Sequence, residues 1–118
     1  MTEVERYALI ASALVYWDTH SVEDVLAECH AGRWQMWEGR DSLVVTQVKD
    51  WPRCKEVFAV LAAGRLDEVA RMYPVILAWA KDIGCTKASF SGRPGWGKTF
   101  LTKAEGWRQA SVTFEKGL

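Results

Sequence analysis

Apolar residues recur at Tyr7, Ile10, Ala11, Leu14 and Trp17, steps that keep them on one stripe of a first helix. A second helix follows in "SVEDVLAECHAG" (21–32). Ser21 is its N-cap, and Asp24, three residues on, completes a capping-box variant. Val22, Val25, Leu26 and Cys29 form its apolar stripe, and Gly32 stops it. The period then changes to two. "RWQMW" (33–37), "SLVVTQVKD" (42–50) and "CKEVFAVLA" (54–62) are separated by the turn-like "EGRD" and "WPR", which predicts an antiparallel meander. Val57 to Ala62 is apolar on both faces, the mark of a central strand. Trp34 and Trp37 fall on opposite faces of a regular strand, so at least one packs beneath the N-terminal helices.

From Leu66 to Ile83 the helical period returns through Val69, Met72, Tyr73, Ile76, Leu77 and Ala80, and Gly84 is a ready cap. Pro74 lies inside this run and predicts a kink, or a split with Pro74 opening the second piece. "TKASFS" (86–91) reads as a strand and "PGWGKTFLTKAEG" (94–106) as a turn and helix. "WRQASVTFEKG" (107–117) reads as a closing strand, with Ala110, Val112 and Phe114 buried and Gln109, Ser111, Thr113 and Glu115 wet. The order α-α-β-β-β-α-β-α-β predicts an α+β class. Its single mixed sheet combines an antiparallel meander with one parallel, right-handed β-α-β step over 55–91, and helices cover both faces. We expect one domain over residues 1–118, with a helical part at 3–31 and a sheet core at 33–118.

Charge and composition narrow the partners. Fifteen basic residues balance 15 acidic ones, so nothing attracts nucleic acid or an anionic membrane over long range. "ALIASALVYW" (8–17) is too short for a membrane span or a signal peptide. Cys29, Cys54 and Cys85 are widely spaced and His20 and His30 lie apart from them. No metal site is expected, and three unpaired thiols suit a reducing cytoplasm. Seven Trp residues are read as core packing.

One stretch carries candidate chemistry as text. "SGRPGWGKTF" (91–100) matches the phosphate-loop pattern G-x-x-x-x-G-K-[ST] from Gly92 to Thr99. Its setting does not suit that chemistry. About twenty residues follow Thr99, and they end in an alternating strand where a buried strand with a metal-binding Asp is wanted. Asp50, an upstream substitute, belongs to the meander, and the bulky Trp96 sits where a loop must curl around phosphate. We read the stretch as a strand-to-helix turn with Lys98 in solvent or on a nearby carboxylate; a nucleotide-binding P-loop protein is a third alternative for function.

The element order resembles the GNAT acyl-CoA N-acyltransferase fold, best over residues 33–118. "VILAWAKDIGCTKASFSG" (75–92) is similar to that family's central helix running into its next strand. "WGKTFLTKAEGWRQASVTFEKGL" (96–118) is similar to its later helix, its "G-W/F-R" turn and its returning strand. "GRPGW" followed by "GWR" also resembles small GNAT-like proteins of tailed bacteriophages and prophages, some of them internal virion proteins. In working enzymes of the family, a loop of pattern Q/R-x-x-G-x-G/A presents amides to the pyrophosphate of CoA at a helix N-terminus. The matching place here is "LAAGRLDE" (61–68), with Gly64 as one glycine, Leu66 near the second, and Arg65 as the only compensating cation. Asp67 and Glu68 occupy the first helical turn, where a pyrophosphate would meet like charge.

The resemblance therefore implies two functions. One is a phage or prophage GNAT-like protein with a degenerate acetyl-CoA loop, serving as a structural or interaction module without a cofactor. Its partners would be virion proteins or itself, in the bacterial cytoplasm or within a phage particle. The other is a divergent N-acetyltransferase using acetyl-CoA, held by Val60, Leu61, Ala62, Gly64 and Arg65. Glu56 is then the weak candidate general base, against its plainer role as a polar residue near a strand's start. The family's Tyr general acid on the later helix has no match, since the last Tyr is Tyr73 and the nearest aromatic is Phe100. Arg93 and Trp96 are ligand-facing candidates at the mouth of the sheet, with the Trp as a plug between parting strands the alternative. Lys98, Lys103 and Arg108, balanced by Glu105 and Glu115, read as a solvated face.

Overall fold

The computed structural model describes residues 1–15, 17–92 and 106–118. Among them the elements run α1 (Glu3–Leu14), α2 (Val22–His30), β1 (Trp34–Glu38), β2 (Leu43–Asp50), β3 (Lys55–Ala63), α3 (Leu66–Asp82) and β4 (Lys87–Phe90). The four strands form one mixed sheet in the order β1-β2-β3-β4. The meander is antiparallel, and β3 and β4 are parallel neighbours joined by α3. The class is α+β, and the expected parallel step is present.

Local chemistry accounts for the helix ends. Ser21 caps α2: its hydroxyl accepts the Asp24 amide at 3.1 Å, and the Asp24 carboxylate accepts the Ser21 amide at 2.9 Å. Gly32, at φ 79°, ends the same helix. α1 starts on Thr2, whose hydroxyl accepts the Glu5 amide. α3 is a single helix that carries Pro74 in its interior, so the split is not realised. Pro74 is exposed, which leaves its ring clear of the sheet.

Two cores lie on opposite faces of the sheet. Ile10, Val22 and Val25 pack with Trp34, Leu43, Val45, Val60 and Leu61 beneath α1 and α2. Val44 and Ala59 pack with Val69, Tyr73 and Ile76 beneath α3. Trp34 is in the first core and Trp37 against the second, its ring 5.2 Å from that of Trp79. The opposite-face expectation for these two residues holds.

Two expectations need correction. Tyr7 is not a buried member of the α1 stripe: it is 45% exposed, and its hydroxyl donates to Glu23 at 2.9 Å. Trp17 lies beyond the helix end at Leu14. The closing strand at 107–117 is absent as well. Residues 107–118 have no strand pairing, with Val112 61% and Phe114 92% exposed. Period-two alternation records a face that suits burial, but hydrogen bonding to a neighbour makes the strand, and the pattern does not name that neighbour. The expected helix at 94–106 lies outside the described residues except Gly106.

No described helix is long and apolar enough to cross a membrane. Among the described residues no group of three or more His, Cys, Asp and Glu could hold a metal ion, and the three cysteines are free.

A proline in a helix interior lacks one amide hydrogen bond and costs about 3 kcal/mol, partly offset by about 1 kcal/mol from the stiffer unfolded chain. Pro74→Ala should therefore raise the unfolding free energy by about 2 kcal/mol, read from urea titration. A neutral or destabilising result would mean that the surrounding turn is built to the proline.

Candidate functional site

The parallel strands part where a ligand site is expected. β4 pairs with β3 only from Glu56–Lys87 to Ala59–Phe90, and Val60 to Ala63 continue without a β4 partner. On the other edge the pairing slips between Val45 and Thr46: Val45 faces Leu61 and Thr46 faces Ala59. Val60 is therefore an extra residue, a bulge that turns Val60 and Leu61 toward the same core. A cavity of about 220 Å³ opens against this stretch. Its walls come from Ser12 and Ala13 of α1, the free run of β3, Tyr73 of α3 and Phe90 of β4. Tyr73 is buried, and that burial pushes its hydroxyl up to about 12, so it keeps its proton at neutral pH. Sequence reasoning counted Tyr73 as core and missed its place in the cavity; its membership of the sheet-facing stripe of α3 was the available signal.

The loop after β3 meets the β1–β2 turn through Gly64, Arg65 and Glu68. Gly64 has φ 108°, and a Cβ there would lie 2.6 Å from the Ser42 Cα and collide with the Asp41 carbonyl. That close approach lets the Ser42 hydroxyl accept the Arg65 amide at 2.8 Å. The Glu68 carboxylate turns outward and accepts the amides of Arg40 at 2.8 Å and Asp41 at 2.9 Å. Asp67 pairs with the Arg65 guanidinium at 3.2 Å and with Arg71 at 3.5 Å. Both carboxyls sit below their ordinary values. The Ser42 hydroxyl, then the Asp41 and Arg40 amides, lower Glu68; the Arg65 hydrogen bond lowers Asp67. The loop at the start of α3 thus holds two charged carboxylates, and its one cation is paired to one of them. Like charge at this helix start opposes a pyrophosphate.

Glu56 lies at the other end of β3. It is 6% exposed and outside the cavity wall. The Trp51 indole donates to it at 3.0 Å, and Lys87 approaches to 3.7 Å. Burial pushes its carboxyl up, but the Trp51 and Ser89 hydrogen bonds and the Lys87 and Lys49 charges outweigh this and hold it low. A carboxylate so satisfied is a weak proton acceptor. Val60, Leu61 and Ala62 line the cavity, whereas Gly64 and Arg65 face the β1–β2 turn. Arg93, Trp96 and Lys98 lie outside the described residues, as do all but the first glycine of the G-x-x-x-x-G-K-[ST] stretch.

Comparison with known proteins bears on the fold. A scan of protein-family models finds no match, and a search of curated proteins finds none of significance. Two solved structures are similar. One is a point mutant of TTHA1254 from Thermus thermophilus, with a TM-score of 0.67 at 15% identity. The other is the wild-type TTHA1254, with a TM-score of 0.64 at 14% identity. Each comparison covers 100% of this chain and 93% of the other. At such identities the likeness concerns the fold alone.

The loop geometry can be checked by mutation and by pH. Gly64→Ala adds a Cβ against backbone on top of a left-handed φ, and should destabilise by more than about 2 kcal/mol. Gly32→Ala, with φ 79° and nothing within 4 Å, should cost only about 1–2 kcal/mol. Equal costs would refute the close approach. Because the folded-state value of Glu68 is depressed, its stabilisation is present above the ordinary 4.5 and lost as pH falls through the folded value. Glu68→Gln should make the acid-side fall in melting temperature shallower; an unchanged profile would show that the carboxylate does not hold the turn.

Proposed function

We propose that this chain is a GNAT-like protein of a tailed phage or prophage that has lost CoA binding and acts as a structural or interaction module. The phage assignment rests on the resemblance carried by "GRPGW" and "GWR". The loss of CoA rests on one observation: the amide of Arg65 and the carboxylate of Glu68 are both committed to the β1–β2 turn. Pyrophosphate capture requires free amides, close backbone approach and no competing anion. Here the glycine gives its close approach to Asp41 and Ser42.

A divergent acyl-CoA-dependent N-acyltransferase is the second reading, favoured by the free run of β3 beside a cavity of about 220 Å³. In that case Val60 to Ala62 would lie along the cofactor, and CoA would supply the activated acyl group. Within this chain Tyr73 could hold a proton at the cavity wall, while Glu56 is too far along β3 and too well satisfied to take one.

The two readings separate in a melting experiment. We expect no stabilisation by acetyl-CoA at near-millimolar concentration. A ligand at a hundred times its Kd adds about 2.7 kcal/mol, readily seen as a shift in Tm. Such a shift, abolished by Arg65→Glu, would restore the enzyme reading and place its cofactor on residues 60–65.

A further inference from the structure

Gly39 donates its amide to the Ser42 carbonyl at 2.8 Å, which closes the β1–β2 hairpin on a hydrogen-bonded pair. In an antiparallel ladder such pairs alternate with non-bonded ones. Trp37 with Val44 and Gln35 with Thr46 are therefore the bonded pairs of β1. Trp34, Met36 and Glu38 then aim their amides and carbonyls away from β2, along the outer edge of the sheet. The chain is described on both sides of β1, from Trp17 to Gly92, and among the described residues β1 pairs with β2 alone. Its side-chain contacts run to the two faces, and among the described residues none crosses that edge. On one face Trp34 meets His20 and Glu38 meets Arg6. On the other Trp37 meets Trp79, and both Trp37 and Gln35 share the Thr46 hydroxyl. The strand carries no proline, lysine or bulge, the devices that keep an edge from pairing.

We propose that β1 pairs antiparallel with β1 of a second copy of this chain, about a two-fold axis at Met36, joining two four-stranded sheets into one. A second copy is the occupant because the edge is complementary to itself. With Met36 on the axis, Trp34 of each copy falls opposite Glu38 of the other. Every outward amide then meets an outward carbonyl, and about six hydrogen bonds form. On the α3 face Gln35 falls opposite Trp37, a close non-bonded pair that covers the half-buried indole. Charge agrees with this direction. β1 runs from Arg33 at its start to Glu38 at its end, so antiparallel copies bring base beside acid at both ends. The formal charge is zero, and the copies do not repel over long range. No residue of β1 belongs to the cavity wall, so the pairing goes beyond the module reading and stands whether or not CoA binds.

The test is sedimentation of the full chain from micromolar to submillimolar concentration, with amide hydrogen exchange followed residue by residue. We expect a monomer–dimer equilibrium in which the amides of Trp34, Met36 and Glu38 slow as the dimer fills. Those of Gln35 and Trp37, bonded to β2, should be slow at every concentration. Met36→Pro removes an outward amide at an edge position where the single chain needs no donor, and should weaken dimerisation by about tenfold or more. Val75→Glu, on the exposed side of α3, should change it by less than about threefold. A monomer throughout the range overturns the proposal, as does a dimer indifferent to Met36→Pro. A dimer that leaves exchange at Trp34, Met36 and Glu38 unchanged also overturns it. That last reading uses the unaltered chain, so it decides the matter even where Met36→Pro fails to fold.

Discussion

Gly64 marks the point where three segments must occupy almost the same space: the end of β3, the start of α3 and the β1–β2 turn. Without a Cβ, the chain passes within contact of Asp41 and Ser42. Everything that orients α3 then follows at short range. The Ser42 hydroxyl reaches the Arg65 amide, and Glu68, one turn into the helix, reaches the amides of Arg40 and Asp41. These bonds fix the axis along which Val69, Tyr73 and Ile76 meet Val44 and Ala59. An α3 so directed delivers its C-terminus, capped through Gly84, to the side of β3 where β4 can pair in parallel.

The same constraint decides the electrostatics of the helix start. Asp67 and Glu68 favour the positive end of the α3 dipole, a few tenths to about 1 kcal/mol each at an exposed site. Each also has a second partner, the arginines for Asp67 and the turn amides for Glu68. Surface pairs of this kind add little stability singly. Their effect is on availability: the Arg65 amide and guanidinium both have partners within the fold. A glycine at the end of a strand is often the opening for a phosphate, but here it is the seat for a neighbouring turn.

Much of this frame was legible in the sequence because it depends on local rules. The Ser21–Asp24 box, the change of period at Trp34 and the Gly84 stop each act over a few residues, and each appears where expected. The bulge at Val60 was not legible. It shifts the phase of β3 within a run apolar on both faces, so the alternation that would reveal a slip is missing. Glu68 misled for a different reason. A carboxylate in the first turn reads as a partner for its own helix, and only the fold brings residues 40 and 41 beneath it. The tail was legible as a pattern and not as a pairing, since alternation describes one strand while a ladder needs two.

β3 is therefore divided along its length. At its start Glu56 is enclosed by Trp51 and Lys87, and the ladder to β4 is closed. Past Ala59 the ladder stops and the cavity begins, walled by small side chains from Ala59, Ala62 and Ala63 together with Tyr73. A catalytic site would need its base, its proton donor and its anion cradle on the same side of that division. Here the carboxylate lies at the closed end, the tyrosine at the open end, and the loop beyond them is committed to the β1–β2 turn. The mixed sheet and its parallel step are in place, while among the described residues Glu56, Tyr73 and Arg65 are separated or engaged elsewhere. That separation is what supports the scaffold reading proposed for this chain.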